Sequence, residues 1–190
     1  MLTANVTSSI HLEMLGSQHA QALAKVTQLN QAYLSKWLPW AHSYRGIGDT
    51  LAFIKRARQE FCDQQAGHYI IFHEQQVCGM LSLFNLHADN NACDLGYWLA
   101  SSKQGEGIIT QSVAYVLPHV FTTLHKHKAV IRCAMDNQLS RNIPERLGFV
   151  FEGILRDSEK LREGYVSHAV YSLLQSEWRQ QSRNNLYNAF

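Results

Sequence analysis

The segment Gln104-Gly105-Glu106-Gly107-Ile108-Ile109-Thr110 decides how this chain is read. Two glycines one residue apart stand directly before a strongly periodic apolar stretch, in which Ile109, Val113, Val116, Val120 and Leu124 recur on one face of a helix. Glycine lets the backbone pass close to an anion. The first N–H groups of a helix lack intrahelical partners and carry about half a unit of positive charge, so the pair makes a seat for a phosphate or pyrophosphate. The spacing is not a P-loop, which needs Gly-Lys-Ser/Thr, nor a Rossmann fingerprint, which needs a third glycine. Taken alone, it reads more readily as a flexible turn ahead of a helix.

Upstream, Tyr69–Phe72, Val77–Phe84 and Cys93–Leu99 are short runs rich in strand-forming residues, separated by Glu74-Gln75-Gln76 and Asp89-Asn90-Asn91. They predict an antiparallel meander. Nearer the start, a strand at Ile10–Leu15 precedes a helix with Ser17 as cap and a stripe of Leu23, Val26, Asn30, Tyr33 and Trp37, stopped by Pro39. The segment Trp37–Gly48 is aromatic but interrupted by Pro and Gly, and reads as a structured surface loop. Asp49 or Thr50 then caps a second helix with an apolar stripe of Leu51, Ile54, Ala57 and Phe61. Downstream, Pro118 should kink the central helix. A strand at Ala129–Met135, a short helix ending at Gly148, and strands around Phe149–Gly153 and Val166–Leu174 follow. The order implies one mixed α/β domain over residues 1–180, with a polar tail at 181–190 that reads as disordered from Ser182 to Asn188.

Composition excludes several classes. A chain of 190 residues with 46% hydrophobic content suits one core. Seventeen Lys and Arg against fifteen Asp and Glu give a net charge of +2, far from the surplus that a nucleic-acid backbone asks for. The start carries no Lys or Arg and no signal-length apolar core, and no apolar run approaches a membrane span, so a cytoplasmic protein is expected. Cys62, Cys78, Cys93 and Cys133 form no Cys-x-x-Cys pair and read as free thiols. The ten histidines do not cluster as ligands, and no metal site is expected. His125 and His127 alternate with Lys126 and Lys128 in what reads as the solvated end of a helix. His87 and His168, near strand ends, read as polar surface residues.

The glycine loop together with the element order resembles the GNAT superfamily of acyl-CoA-dependent N-acyltransferases, whose pyrophosphate loop reads Gln/Arg-x-x-Gly-x-Gly/Ala. Gln104 and Gly107 match, while Ile109 stands where the family has a small residue. Longer strings resemble one branch, the ribosomal-protein N-acetyltransferases of the RimJ/RimL type. These are Trp37-Leu-Pro-Trp40, Gly96-Tyr-Trp-Leu99, Gln104-Gly-Glu-Gly-Ile-Ile109, Ile131-Arg-Cys133, Asp136-Asn137, Ser140 through Phe149, and Glu152 through Asp157. The resemblance runs from about Ile10 to Trp178. It implies a GNAT fold, one splayed, mostly antiparallel sheet of about seven strands flanked by about four helices.

The same resemblance implies acetyl-CoA as co-substrate and an amine as acceptor. Gln104, Gly105, Gly107, Ile108, Ile109 and Thr110 would hold the diphosphate. Trp98 and Leu99 would lie along the pantetheine arm, with a backbone N–H polarising the acetyl carbonyl. Asn137 would flank that arm, or serve only as a turn residue after a strand. The tyrosine that family members commonly use as proton donor falls at Pro144, which leaves Ser140 as the nearest hydroxyl, or as a residue that helps start its helix. Glu159, in the connection between the last two strands, aligns with the general base of the RimL-like enzymes. Without that alignment it would be a solvated pair with Lys160 or Arg162.

Cys133 reads as a small buried hydrophobe, so direct attack in a ternary complex is expected without an acyl-enzyme. On the acceptor side Trp40 and Tyr44 offer apolar walls, Arg45, Lys55, Arg56 and Arg58 offer positive charge, and Trp37 falls on the buried stripe of the first helix. The acceptor implied is the α-amino group of a protein such as a ribosomal protein. The alternatives are a small amine of polyamine or antibiotic type, or a catalytically lapsed CoA-binding module. Neither nucleic acid nor a membrane is an expected partner, and homo-oligomerisation is left open.

Overall fold

The computed structural model describes residues 3–86 and 89–187. His87 lies outside them, as does Asn188 at the end of the tail. One eight-stranded sheet runs through the molecule in the order β1-β2-β3-β4-β5-β6-β8-β7. Its strands are β1 (Thr3–Asn5), β2 (Ile10–Met14), β3 (Gly67–His73), β4 (Gln76–Phe84), β5 (Ala92–Leu99), β6 (Lys128–Ala134), β7 (Val150–Leu161) and β8 (Gly164–Leu174). The expected meander is β3-β4-β5, and every neighbouring pair is antiparallel except β5 and β6. β1 is the additional strand, too short for a pattern to reveal it.

Strand alternation sends odd- and even-numbered side chains of β5 to opposite faces. Cys93 and Leu95 face α5 (Ile108–Pro118), whose Ile109, Val113 and Val116 are buried with Ile131, Tyr171 and Leu173 in the larger core. Burying each such side chain contributes about 1.5–3 kcal/mol. Met80 and Trp98 face the other way, against α1 (Ala20–Leu29) and α4 (Ile47–Cys62) in a second core. The Pro118 kink takes a specific form: the α-helix ends there, and His119–Thr123 continue in a wider π turn.

Several boundaries differ from expectation. The first long helix divides at Asn30, before α2 (Gln31–Leu34), because the Asn30 side chain is drawn out of the helical pattern. Its Nδ2 donates to the Val26 carbonyl at 2.8 Å and its Oδ1 accepts from the Ser101 amide at 2.8 Å. Pro39 starts α3 (Pro39–His42) at a position where its missing N–H costs nothing. Gly46, not Asp49 or Thr50, is the cap of α4; Asp49 accepts from the Arg45 amide and Thr50 is buried. The inward face of α4 is therefore Thr50, Ile54 and Ala57, with Leu51 and Phe61 exposed.

The last two strands are much longer than expected and form a hairpin turning at Arg162 and Glu163. The polar tail is not without order: α7 spans Gln175–Tyr187, with Trp178 packed on Phe121. Lys126 is buried with its ammonium on the Leu86 carbonyl, so residues 125–128 are not a solvated helix end. His168, read as a polar surface residue, is largely covered, as are His19, His68 and His73, and each of the four faces a glutamate.

Candidate active site

β5 and β6 run parallel for only four residue pairs, from Ala92 with Lys128 to Leu95 with Ile131, and then part. Beyond that point β5 continues to Leu99 and β6 to Ala134, so the sheet opens into a wedge. The β6-facing backbone groups of Gly96–Leu99 have no strand partner there. β5 is pressed onto β4 on its other side: a Cβ on Gly79 would stand 2.3 Å from the Trp98 carbonyl oxygen.

A cleft of 270 Å³ fills this wedge, walled by Tyr97–Leu99 on one side and Arg132–Ala134 on the other. At its floor lies the glycine loop. Gly105 and Gly107 both take left-handed backbone angles, φ 80° and 73°, which side chains rarely adopt. The turn delivers the start of α5 into the cleft. Among the described residues no group accepts a hydrogen bond from the amides of Gly105 through Thr110. The loop is braced by Gln104, whose Nε2 donates to the Tyr33 hydroxyl on α2 at 2.5 Å. The loop's carboxylate, Glu106, lies 3.9 Å from Lys103 and 3.7 Å from His73, and is not part of the cleft wall.

The opposite wall comes from α6 (Gln138–Arg146), which contributes Leu139, Ser140, Asn142, Ile143 and Arg146. Asn137 is its cap, its Oδ1 accepting from the Ser140 amide at 3.2 Å. Ser140 is thus not the cap. Its hydroxyl lies 3.3 Å from Cys133 Sγ and 3.4 Å from the Tyr97 hydroxyl, which itself donates to the Ser140 carbonyl at 3.0 Å. Burial pushes the Cys133 thiol and the Tyr97 phenol up, the second strongly, so both hold their protons at neutral pH.

Glu159 closes the mouth of the cleft together with His168, their side chains 3.3 Å apart. Glu159 belongs to β7 and pairs with Val166, where a connection between strands was expected.

Of the residues singled out from sequence, Trp98, Leu99, Gln104, Gly105, Gly107, Ile108, Ile109, Thr110, Asn137, Ser140 and Glu159 line this one cleft. Trp40 and Tyr44 do not. Trp40 sits behind the wall with its ring 6.3 Å from Trp98, and the Tyr44 hydroxyl bonds Thr50 Oγ1 at 2.8 Å. Trp37, read as a helix anchor, does line the cleft. Sequence reading did not place Tyr97, His168, Arg132 or Arg146 there. The alternation of β5 puts Tyr97 on the face opposite Trp98, so both faces of the strand reach the cleft, but the other three depend on long-range pairing. Among the described residues no group of three His, Cys, Asp or Glu side chains comes together to hold a metal, and no helix is long and apolar enough to cross a membrane.

Comparison with known proteins agrees with this geometry. Residues 10–150 match the family model of the GNAT acetyltransferase domain. The chain is 33% identical over 180 residues to the putative ribosomal N-acetyltransferase YdaF of Bacillus subtilis, covering 94% of this chain and 98% of that one. It is 28% identical over 170 residues to the ribosomal-protein-serine acetyltransferase of Escherichia coli, covering 90% and 95%. Among solved structures, RimL, a ribosomal alpha-N-protein acetyltransferase in complex with coenzyme A as a CoA–cysteine disulfide, superposes with a TM-score of 0.87 at 27% identity. That match covers 92% of this chain and 99% of the RimL chain.

Proposed function

The chain belongs to the GNAT acetyltransferase family, and on that footing we propose that it moves the acetyl group of acetyl-CoA onto the α-amino group of a protein N-terminus, with a ribosomal protein as acceptor. One observation carries the reading: a single wedge between parted strands has unpartnered loop amides at one end and a carboxylate at the other. The first suits a diphosphate and the second an amine. The RimL neighbour holds CoA at one of its cysteines, and Cys133 is the cysteine on the wall of this cleft.

In the reaction the amine nitrogen forms a bond to the acetyl carbon while the carbon–sulfur bond breaks, the amine proton leaves, and the thiolate departs. Amides of the loop and the start of α5 bind the diphosphate, and turning Glu106 toward Lys103 and His73 keeps its charge away from that anion. The Leu99 backbone N–H, which faces the wedge because the Trp98 carbonyl and the Ala100 amide are turned to β4, polarises the carbonyl, and Trp98 lies along the arm as part of the cleft wall. Asn137 holds the start of α6 beside the pantetheine arm.

Glu159 takes the proton. An α-amine, with a pKa of about 7.7–8.0, is already partly neutral in the cell, so a carboxylate adds roughly 10²–10⁴ in rate. Ser140 meets the leaving sulfur with its hydroxyl. Cys133 keeps its proton and is a poor nucleophile, which favours direct attack within a ternary complex. Trp40 backs the acceptor wall through Trp98, while Tyr44 braces α4. The setting is cytoplasmic, where ribosomal proteins are made.

The test is thiol release from acetyl-CoA across N-terminal peptides of ribosomal proteins and a series of polyamines, with products read by mass spectrometry. Acetylation at a peptide α-amine is expected. Release with polyamines alone overturns the acceptor, and binding without release on any acceptor returns the protein to a CoA-binding module.

A further inference from the structure

The hairpin β7–β8 departs from regular pairing at the mouth of the cleft. Leu155 pairs with His168, and unbroken pairing from there would set Glu159 opposite Gly164. Instead Glu159 pairs with Val166, because a bulge takes up two extra residues on β7, with Asp157 at φ 47°. The Asp157 amide is secured by the Ser167 hydroxyl at 3.1 Å. Val166 and His168 share a face of β8, so the bulge moves Glu159 from four positions away from His168 to two. Diagonal neighbours at that offset are about 7–8 Å apart along the backbone, within reach of long side chains. The outcome is the 3.3 Å contact between His168 Nε2 and Glu159 Oε2.

We propose that His168 is a positioning residue for acetyl transfer, one whose Nε2–H holds one oxygen of Glu159 so that the other faces the incoming amine. The proposal rests on Glu159 being the base. A carboxylate only accepts hydrogen bonds, so the neutral imidazole must donate from Nε2. His168 is 15% exposed and Glu159 35%, which limits water's competition for the contact. The charged and titratable groups along the cleft with His168 are Glu159, Arg132, Arg146, Cys133, Tyr97 and Tyr33. Arg132 is engaged at 2.6 Å by Asp94, Arg146 stands on α6, and the Cys133 thiol is neutral. The carboxylate is therefore the group that the imidazole meets directly.

The experiment compares the full chain with His168→Ala, His168→Gln and Glu159→Gln, measuring kcat and the KM for acetyl-CoA with the preferred peptide. His168→Ala should lose about tenfold in kcat with an unchanged acetyl-CoA KM. In His168→Gln the side-chain amide supplies an N–H donor in place of Nε2–H, so most of kcat should be recovered. If the alanine variant does not fold, His168→Phe, which keeps a ring but no donor, takes its place. Full activity in Glu159→Gln removes the base and this proposal with it. An inactive Glu159→Gln beside a donor-less His168 variant with unchanged kcat overturns the role of His168 alone.

Discussion

Ser140 Oγ lies 3.3 Å from Cys133 Sγ, a hydroxyl already set at hydrogen-bonding distance from a sulfur. The thiol shows where a leaving sulfur can be met. Removing the hydroxyl in Ser140→Ala should lower kcat by about tenfold and leave the acetyl-CoA KM unchanged, since Asn137 caps α6 without that side chain. Cys133→Ala should retain activity. Steady-state kinetics of the two variants checks both statements.

Burial should also govern the thiols. Cys78 and Cys93 are pushed up to about 12 by desolvation, and Cys133 is raised as well, whereas Cys62 is exposed. A thiol reagent at pH 8 should label Cys62 quickly and the other three only on unfolding. A thiol whose folded pKa lies above its unfolded value contributes stability that is complete below the unfolded value and lost as pH rises through the folded one. Stability should hold to about pH 8.5 and then decline toward pH 12 as Cys78 and Cys93 are drawn to ionise. Chemical denaturation across that range is the check, and Cys93→Ala should shallow the slope.

Gly79 has no room for a side chain against the Trp98 carbonyl. Gly79→Ala must push β4 from β5, at about 1–3 kcal/mol and a few degrees of Tm. Because the displaced strand is a wall of the cleft, acetyl-CoA affinity should fall along with Tm, as seen by calorimetry and CoA titration. A drop in Tm with unchanged affinity would separate the wall from the ligand.

Tyr44 and Trp37 should differ in kind. Tyr44→Phe removes the 2.8 Å bond to Thr50 and should cost about 1 kcal/mol of stability with no change in acceptor KM. Trp37→Ala removes part of the cleft wall and should raise the acceptor KM. Peptide kinetics beside a thermal melt distinguishes the two.

Legibility in the sequence followed the range of the interaction. The central meander, the glycine turn and α5 come from local periodicity and from glycines that alone suit φ near 80°, and they were readable. The break at Asn30 was not, because its cause is a bond to Ser101, seventy-one residues away. The inward histidines escaped for the same reason: each is matched with a glutamate brought up by tertiary pairing. Glu159 was found through likeness to a family and misplaced in a loop, since the bulge that seats it depends on its register with β8.

The early parting of β5 from β6 gives the sheet a seam. Five strands on one side and three on the other share four residue pairs, and beyond these the halves are connected through α5 and α6. A molecule lodged in the opening touches both sides and ties their motions together. Amide hydrogen exchange along Gly96–Leu99 and along Arg132–Ala134 should then slow in concert when acetyl-CoA binds, with the ligand acting as the missing rung between the two halves of the sheet.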